Sequence, residues 1–318
     1  MVAGVIAQRI SIVALALTTR ILSAQDTSAL VAGERAQILA AGARVLDSLY
    51  VDRVLAKSMS SALRKGATGG RWSRITSPTQ FADSITAALR AISHDQHVRL
   101  IFQPEDPRIV ENVSPEEKQR RFNEVLEDIT DDNFGVPEVR ILPGNVGVLR
   151  MDNFIIPQYG APVLTAAMSF VNNTRALIID LRQNGGGHSD QFVLMMSYFL
   201  KDPTKLGESF SRPDSALEQT WSYAVVPGPK YATDKPVYVL TSRETFSAAE
   251  ALADALRRFR HATLVGDTTR GGGHMGDFLP VGKRFVMFVP TSASTSRDDV
   301  EGVGLRPDVA MPSAAAER

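Results

Sequence analysis

The 318-residue chain contains no cysteine, which excludes disulfides, thiolate metal sites and a cysteine nucleophile together. Thirty-five Lys and Arg residues balance thirty-five Asp and Glu residues, and no cluster rich in Lys or Arg stands out. Neither a global nor a local positive field is therefore available to attract nucleic acid or an anionic membrane. We expect no nucleic-acid partner, and any other partner has to be argued from a site.

Long hydrophobic runs are also scarce, and the one that stands out lies at the N-terminus. There, MVAGVIAQRISIVALALTTRILSAQD combines Arg9, an apolar stretch from Ile10 to Leu17 and a small residue at Ala24, as a secretory signal does. No later segment reaches the roughly 18 to 20 apolar residues that a bilayer-spanning helix needs. We expect residues 1–24 to be a signal peptide and the mature protein to be extracytoplasmic, periplasmic or secreted, without a transmembrane span. The alternative is a frayed helix on a cytoplasmic protein.

The first part of the chain has a helical pattern. Apolar residues recur at three- and four-residue intervals over residues 34–100, and Ser77 is placed as a helix cap before a proline. We expect a small helical-bundle domain over residues 25–102. The charged and poorly periodic segment 103–137 is predicted to be a linker that contains one helix after Ser114.

The second half changes to short apolar runs rich in β-branched residues, which is typical of strands covered on both faces. Helical patterns alternate with several runs, which indicates an α/β domain over residues 138–312, followed by a tail at 313–318. The predicted strands are Val146–Met151, Ala176–Leu181, Val237–Thr241, Ala262–Asp267 and Arg284–Thr291. The predicted helices are Pro162–Val171, Gln191–Leu200 and Ala248–Phe259.

The stretch TFSAAE, Thr245 to Glu250, places a serine between an apolar strand and a helical pattern. At such a turn the hydroxyl of Ser247 faces outward, and the N–H of Ala248 lies unpaired at the positive end of the helix dipole. Nucleophilic catalysis needs an exposed hydroxyl, N–H donors for an oxyanion, and a base nearby. The alternative is that Thr245 or Ser247 only caps the helix, the commonest role of these residue types at such a position.

A second motif, DLRQNGGGHSD from Asp180 to Asp190, has three consecutive glycines after a predicted strand. Glycines let the backbone adopt positive φ and approach a ligand closely, so that their N–H groups can converge on a carbonyl oxygen or a phosphate. Phosphate binding has weak support, because neither a Gly-Lys-Ser/Thr sequence nor the G-x-G-x-x-G spacing is present. A flexible turn is the third interpretation.

A third motif, AISHDQHVRL, places His94, Asp95 and His97 at the end of a predicted helix. Two histidines three residues apart can share a helix face, and His188 and His274, each directly after a triple glycine, could complete a metal site. Against this interpretation, no HExxH motif is present and glycine-rich loops hold metal ligands poorly. A structural or exposed histidine is the plainer alternative.

A fourth motif, DDVEGVGLRPDV, places Glu301 before a turn punctuated by glycines. A carboxylate held at such a turn can orient a polar partner. A solvated loop acid is the alternative and the commoner case.

Taken together, ALIIDLRQNGGG, VYVLTSRETFSAAEALADAL, ATLVGDTTRGGGHMG and VEGVGLRPDV resemble, in this order and spacing, the tail-specific (C-terminal-processing) serine peptidase family. The chain is similar to the branch of tricorn protease and interphotoreceptor retinoid-binding protein, roughly from Ala43 to Val309. The resemblance implies an α/β fold with an N-terminal helical domain and a crotonase/ClpP-like ββα-spiral catalytic domain. A linker of about 40 residues leaves no room for a PDZ domain.

The resemblance implies that Ser247 is the nucleophile. Family members with a Ser-Lys dyad carry the lysine 25 positions later, where this chain has Gly272, so the general base must come from elsewhere. In the tricorn-like branch the base is a histidine that corresponds to His97. The family's orienting carboxylate falls on Glu301.

The resemblance further implies an oxyanion hole formed by the amide of Ala248 with that of Gly186 or Gly187. The predicted function is thus a serine-type peptidase that hydrolyses peptides or unfolded proteins, with no cofactor and no metal. One alternative is a non-catalytic carrier of retinoid- or fatty-acid-type ligands, which the likeness to the retinoid-binding protein permits. Another is a metallohydrolase built on the histidine cluster.

Overall fold

The computed structural model of the chain describes residues 28–104, 114–295 and 300–311. The predicted signal peptide and the C-terminal tail lie outside these residues. The helices are α1 (Ala32–Leu49), α2 (Arg53–Thr68), α3 (Pro78–Ser93), α4 (Pro115–Asp131), α5 (Pro157–Val171), α6 (Ser189–Ser197) and α7 (Ala248–Arg260). None of these helices is long and apolar enough to cross a bilayer.

The strands of the described residues fall into two sheets. Their bounds are β1 (Arg99–Phe102), β2 (Glu138–Leu142), β3 (Val146–Arg150), β4 (Ala176–Asp180), β5 (Lys205–Ser211), β6 (Ala216–Trp221), β7 (Val237–Thr241), β8 (Thr263–Gly266), β9 (His274–Pro280), β10 (Phe285–Ser294) and β11 (Val309–Ala310). The resulting mixture of sheets and helices confirms the predicted α/β class.

One sheet has the order β11-β8-β7-β4-β3-β2. Its neighbours run parallel, except that β2 pairs antiparallel with β3. Strands β3, β4, β7 and β8 coincide with four of the predicted apolar runs. Their side chains share one hydrophobic core with helices α5, α6 and α7, which explains why these strands lack polar alternation.

The other sheet has the order β1-β10-β5-β6, with β9 also paired to β10, and its pairs are antiparallel. Of its strands, the apolar runs predicted only β10. Strand β6 shows why, since it is mostly exposed and its sequence ALEQTW has no apolar stripe. Such an edge strand is defined by its partner rather than by its own pattern.

Helices α1, α2 and α3 share their core with this second sheet. Phe81 of α3 meets Phe285 of β10 edge to face, with ring centroids 6.1 Å apart. Residues from opposite ends of the chain therefore fill one core. The boundaries 25–102 and 138–312 stay predictions, and strand β10 packs against the helical part.

Two of the predicted helix starts agree with the structure, and a third lies too late in the chain. Ser77 caps α3 as predicted, since its hydroxyl accepts the N–H of Gln80 at 3.3 Å, and α4 is the helix predicted after Ser114. The helix predicted from Pro162 begins earlier, at Pro157, which occupies the first helical position. A proline inside a helix removes a backbone hydrogen bond, yet α5 accommodates Pro162.

The sheet order brings two of the motifs to the same edge. Strands β4 and β7 are adjacent and parallel, so the glycine loop that follows β4 and the Ser247 turn that follows β7 leave the sheet side by side. Thr245 fixes the second turn: its hydroxyl accepts the N–H of Ser242 at 2.9 Å and donates to the carbonyl of Leu181 at 2.8 Å.

Candidate active site

Ser247 stands directly before α7 with φ 57° and ψ −118°. An ordinary N-cap residue lies in the β region of φ/ψ space, so Ser247 does not have the conformation of a simple helix cap. A non-glycine residue in such a region costs about 1 to 3 kcal/mol and persists only where its surroundings hold it. Backbone strain of this kind is concentrated at functional sites, which favours the nucleophile interpretation over the cap.

The buried carboxylate of Glu250 holds the Ser247 turn in place. Its Oε2 accepts the N–H groups of Ser247 at 2.8 Å and of Gly272 at 2.7 Å. Its Oε1 accepts the N–H of Gly271 at 2.8 Å and the hydroxyl of Thr269. One side chain with no solvent exposure thus ties the start of α7 to the loop before β9.

The glycine loop lies against the Ser247 turn. Gly186 and Gly187 have φ values of 101° and 132°, which non-glycine residues rarely adopt. A Cβ at Gly186 would lie 2.8 Å from the Cβ of Ser247, and a Cβ at Gly187 would lie 2.3 Å from the carbonyl oxygen of Phe154. Both the conformation and the close approach therefore require glycine, which excludes the interpretation as a merely flexible turn.

The backbone N–H groups near Ser247 differ in whether they already donate a hydrogen bond within the protein. The N–H of Gly186 donates to the side-chain oxygen of Asn184 at 2.8 Å. Among the described residues, neither the N–H of Gly187 nor that of Ala248 has a hydrogen-bond acceptor. Gly187 and Ala248 are thus the two donors of the predicted oxyanion hole that remain available.

His97, between α3 and β1, is buried with 4% of its surface exposed. Its ring lies between two phenylalanine rings, with centroid distances of 4.3 Å to Phe246 and 5.7 Å to Phe288. Within the described part of the chain, neither ring nitrogen has a hydrogen-bond partner. The structure therefore brings His97 against Phe246, the residue before Ser247, but does not join it to Ser247 by a hydrogen bond.

Glu301 connects the His97 turn to the loop that precedes β9. Its Oε1 accepts the N–H of Gln96 at 3.0 Å, and its Oε2 accepts the N–H groups of Gly273 at 2.8 Å and His274 at 3.1 Å. The Oε2 atom lies 3.8 Å from Nδ1 of His97, too far for a hydrogen bond and close enough for an ion pair. Glu301 is therefore a held carboxylate and not a solvated loop acid.

Asp95 adds a second buried carboxylate beside His97. Its Oδ2 lies 2.7 Å from Nδ1 of His274 and accepts the hydroxyl of Tyr50 at 3.0 Å. Burial acts to raise the pKa of Asp95, but the hydrogen bond and charge of His274 and the charge of His97 outweigh it, so the pKa is lowered overall. Burial and the negative charge of Asp95 raise the pKa of Tyr50 far above its ordinary value.

The histidine cluster forms only in part. His274 joins Asp95 and Glu301, whereas His188 caps α6, where its Nδ1 accepts the N–H of Asp190 at 3.2 Å. His94 is the exposed C-cap residue of α3. The set of metal ligands first considered for the sequence, with His188 completing it, is therefore not assembled.

Sequence reasoning gave Glu250 no place among the candidate site residues. The pattern Ser-x-x-Glu at Ser247 to Glu250 was a usable signal, since it is the sequence of a capping box. The pairing of Asp95 with His274 had no such signal, because the two residues stand 179 positions apart.

A profile of peptidase family S41 matches residues 145–311, more than half of the chain. The chain belongs to peptidase family S41. The match contains Ser247, Glu301 and both candidate oxyanion glycines, while His97 lies outside it. The family resemblance inferred from the four motifs is confirmed, and the assignment to a branch without a PDZ domain stays a prediction.

Curated relatives of this S41 chain include the carboxy-terminal-processing protease of Bartonella bacilliformis, 26% identical over 183 residues that cover 55% of this chain and 41% of that protein. The carboxyl-terminal-processing protease of Synechocystis sp. is 27% identical over 169 residues, which cover 52% of this chain and 38% of that protein. The matched part thus spans about two fifths of the length of these relatives.

Solved structures with a similar fold include a photosystem II D1 C-terminal processing protease, with a TM-score of 0.52 at 17% identity over 89% of this chain and 94% of that one. Tricorn protease has a TM-score of 0.57 at 13% identity over 88% of this chain and 34% of its own. At these identities the likeness establishes a shared fold and leaves the chemistry to be argued from the site.

Proposed function

We propose that this S41 chain is a serine-type peptidase with Ser247 as nucleophile, His97 as general base and Glu301 as the carboxylate that orients the base. The observation that carries the proposal is the state of His97. Its imidazole is buried, without a hydrogen bond on either nitrogen, beside Glu301 on one side and the ring of Phe246 on the other. A buried imidazole with unused nitrogens is costly to keep for structural reasons alone.

In the first step the Ser247 oxygen attacks the carbonyl carbon of the scissile bond, and its proton passes to Nε2 of His97. The carbonyl oxygen becomes an oxyanion that accepts the N–H groups of Gly187 and Ala248. When the C–N bond breaks, the imidazolium returns the proton to the leaving amine. A water molecule activated in the same way then hydrolyses the acyl-enzyme and restores Ser247.

Glu301 acts by orientation and charge in this proposal. Its Oε2 faces Nδ1 of His97, so it favours the tautomer with the proton on Nδ1 and leaves Nε2 free to accept the serine proton. Catalytic hydrogen bonds are commonly long in unliganded enzymes and shorten when substrate binds, which accommodates the distance of 3.8 Å.

The proposed substrate is an extended peptide or the unfolded C-terminal segment of a protein, because the curated relatives are named for carboxyl-terminal processing. We propose an extracytoplasmic location from the N-terminal signal pattern. A carrier of apolar ligands has less support. The cavity described beside α1 and α2 is lined by charged and polar side chains, namely Asp47, Arg53, Lys57, Ser60, Arg64 and Arg212.

The test is intact-mass detection of a fluorophosphonate adduct on the purified protein. We expect one adduct on the wild type, none on Ser247→Ala, and labelling at least about a hundredfold slower on His97→Ala. His261→Ala removes an exposed histidine at the opposite end of α7 from Ser247 and should label like the wild type. An adduct that persists on Ser247→Ala would refute the assignment.

A further inference from the structure

We propose that Asp95, His97 and Glu301 form a zinc site, and that zinc bound there holds the enzyme inactive. The zinc site is argued from geometry alone. The inhibitory effect rests on the function proposed above, in which His97 is the general base. The metal site weighed from the sequence was built on the histidines with Asp95, and Glu301 comes beside His97 only in the folded chain.

The spacing of the three side chains suits a metal ion better than it suits hydrogen bonds. One ligand atom from each lies within 4.8 Å of the others. Nδ1 of His97 is 3.8 Å from Oε2 of Glu301 and 4.0 Å from Oδ1 of Asp95. Ligand bonds of 2.0 to 2.1 Å in a tetrahedral zinc site place neighbouring ligand atoms ~3.4 Å apart. The three separations would therefore have to shorten to close the site around a cation, and the two that involve Nδ1 by only about 0.4 and 0.6 Å.

An independent observation points to the same place. His97 is more than nine-tenths buried, and its Nδ1 faces both carboxylates while forming no hydrogen bond within the described residues. A buried polar atom without a partner needs an explanation such as an absent ion or water. A cation between Nδ1 and the two carboxylate oxygens would give Nδ1 a partner, and the two negative charges beside it would attract that cation.

The donor set favours zinc over magnesium. One imidazole and two carboxylates, with a position left open for water, is a ligand set used for zinc, whereas magnesium prefers oxygen ligands in an octahedral arrangement. Hydrogen bonds from other residues also hold the ligand side chains in place. Tyr50 and His274 hold Oδ2 of Asp95, and the N–H of Gly273 holds Glu301, as partners outside the ligand shell do in metal sites.

Zinc at this position would disable the proposed base. A neutral imidazole that binds metal through Nδ1 carries its hydrogen on Nε2, so it has no lone pair left to accept the proton of Ser247. Zinc would also draw Glu301 away from its role as orienting carboxylate. His97 and Glu301 would thus either activate Ser247 or hold a metal, but not both.

The binding test uses the full chain, stripped of metal with a chelator and titrated calorimetrically with zinc chloride at neutral pH. We expect one zinc per chain, with affinity at least about tenfold weaker in His97→Gln and in Glu301→Gln. Asp95→Asn supplies a further ligand test should Glu301→Gln fail to fold, which circular dichroism reports. Ser247→Ala and His261→Gln should bind zinc as the wild type does. Equal affinity in His97→Gln, or equally tight binding of magnesium, would overturn the site.

The inhibition test measures fluorophosphonate labelling of the same protein with and without zinc. We expect one equivalent of zinc to slow labelling at least about tenfold and a chelator to restore it. Stoichiometric zinc binding with unchanged labelling would overturn the inhibitory role. Zinc binding by a protein that never labels, even without metal, would refute the proposed peptidase while supporting the zinc site.

Discussion

The Cα of Gly272 faces the imidazole of His97 so closely that no side chain fits between them. A Cβ at position 272 would lie 2.6 Å from Cε1 of His97 and 2.4 Å from Cε2 of Phe246, closer than real Cβ atoms approach. Position 272 is where the resemblance to Ser-Lys peptidases would place the lysine. We infer that the two arrangements exclude each other sterically: a lysine there would displace His97, and His97 in its present place requires glycine.

Gly272→Ala should therefore impair the proposed chemistry without replacing a proposed catalytic residue. The new methyl group forces His97 or Phe246 to move, and we expect fluorophosphonate labelling to slow at least about tenfold because a small displacement of a catalytic group is costly. Gly33→Ala is the matched control, since a Cβ there meets nothing within 4 Å and Gly33 lies in α1. Labelling of Gly272→Ala at the wild-type rate would contradict the proposed role of His97.

Glu250→Gln should lower the free energy of unfolding by about 3 kcal/mol, because the amide replaces a buried acceptor of four hydrogen bonds with one that also donates. Urea unfolding measures the loss. Glu244→Gln, an exposed residue of the same segment paired with Arg270, should change stability by no more than about 0.5 kcal/mol. Similar losses in both variants would argue against Glu250 as the residue that positions the Ser247 turn.

Ser247→Gly should be more stable than Ser247→Ala by about 1 kcal/mol. Both variants lack the hydroxyl and should not label, but only glycine adopts φ 57° and ψ −118° without strain. Chemical denaturation of the two variants gives the difference. The opposite order is expected at Ser58 in the interior of α2, where alanine stabilises a helix relative to glycine by about 1 kcal/mol.

In Tyr50→Phe, the free energy of unfolding should fall less steeply with pH at alkaline pH than it does in the wild type. The pKa of Tyr50 is raised by burial, and further by the charge of Asp95, so the unfolded chain loses this proton first. The stabilising contribution is complete below the unfolded pKa of about 10 and falls as the pH rises above it, by up to about 1.4 kcal/mol per pH unit. Urea unfolding from pH 8 to 11 should show this slope in the wild type and a shallower one in Tyr50→Phe. Equal slopes would show that Tyr50 ionises as in the unfolded chain.

Much of the architecture follows from local pattern. The apolar runs of β3, β4, β7 and β8 could be recognised because these strands are buried. Ser77 caps a helix as predicted, and a helix follows Ser114 as predicted. The antiparallel sheet is different. Strand β5 pairs with β10 across about 80 residues, and the mostly exposed β6 pairs with β5. Neither pairing leaves a mark on the sequence of the strand itself.

Some residues of the candidate site could be found from local sequence signals, and others could not. Ser247 and the glycine loop could be singled out because a strand-to-helix turn and a triple glycine are local signals. Only the fold shows that Asn184 occupies the N–H of Gly186, which favours Gly187 as the oxyanion donor in the proposal. His97 and Glu301 were assigned by resemblance to a family, and their roles as base and orienting carboxylate stay proposals.

The sequence by itself determined the α/β class, the family and the turn that carries Ser247, because buried strands, helix caps and glycine conformations are encoded within a few residues. Only the tertiary structure decided what surrounds His97. The distances from its Nδ1 to Asp95 and Glu301, its packing against Phe246 and its exclusion of a side chain at Gly272 join segments up to about 200 residues apart. Contacts of that range depend on how two sheets and a helical layer close around one another, and no local pattern specifies them.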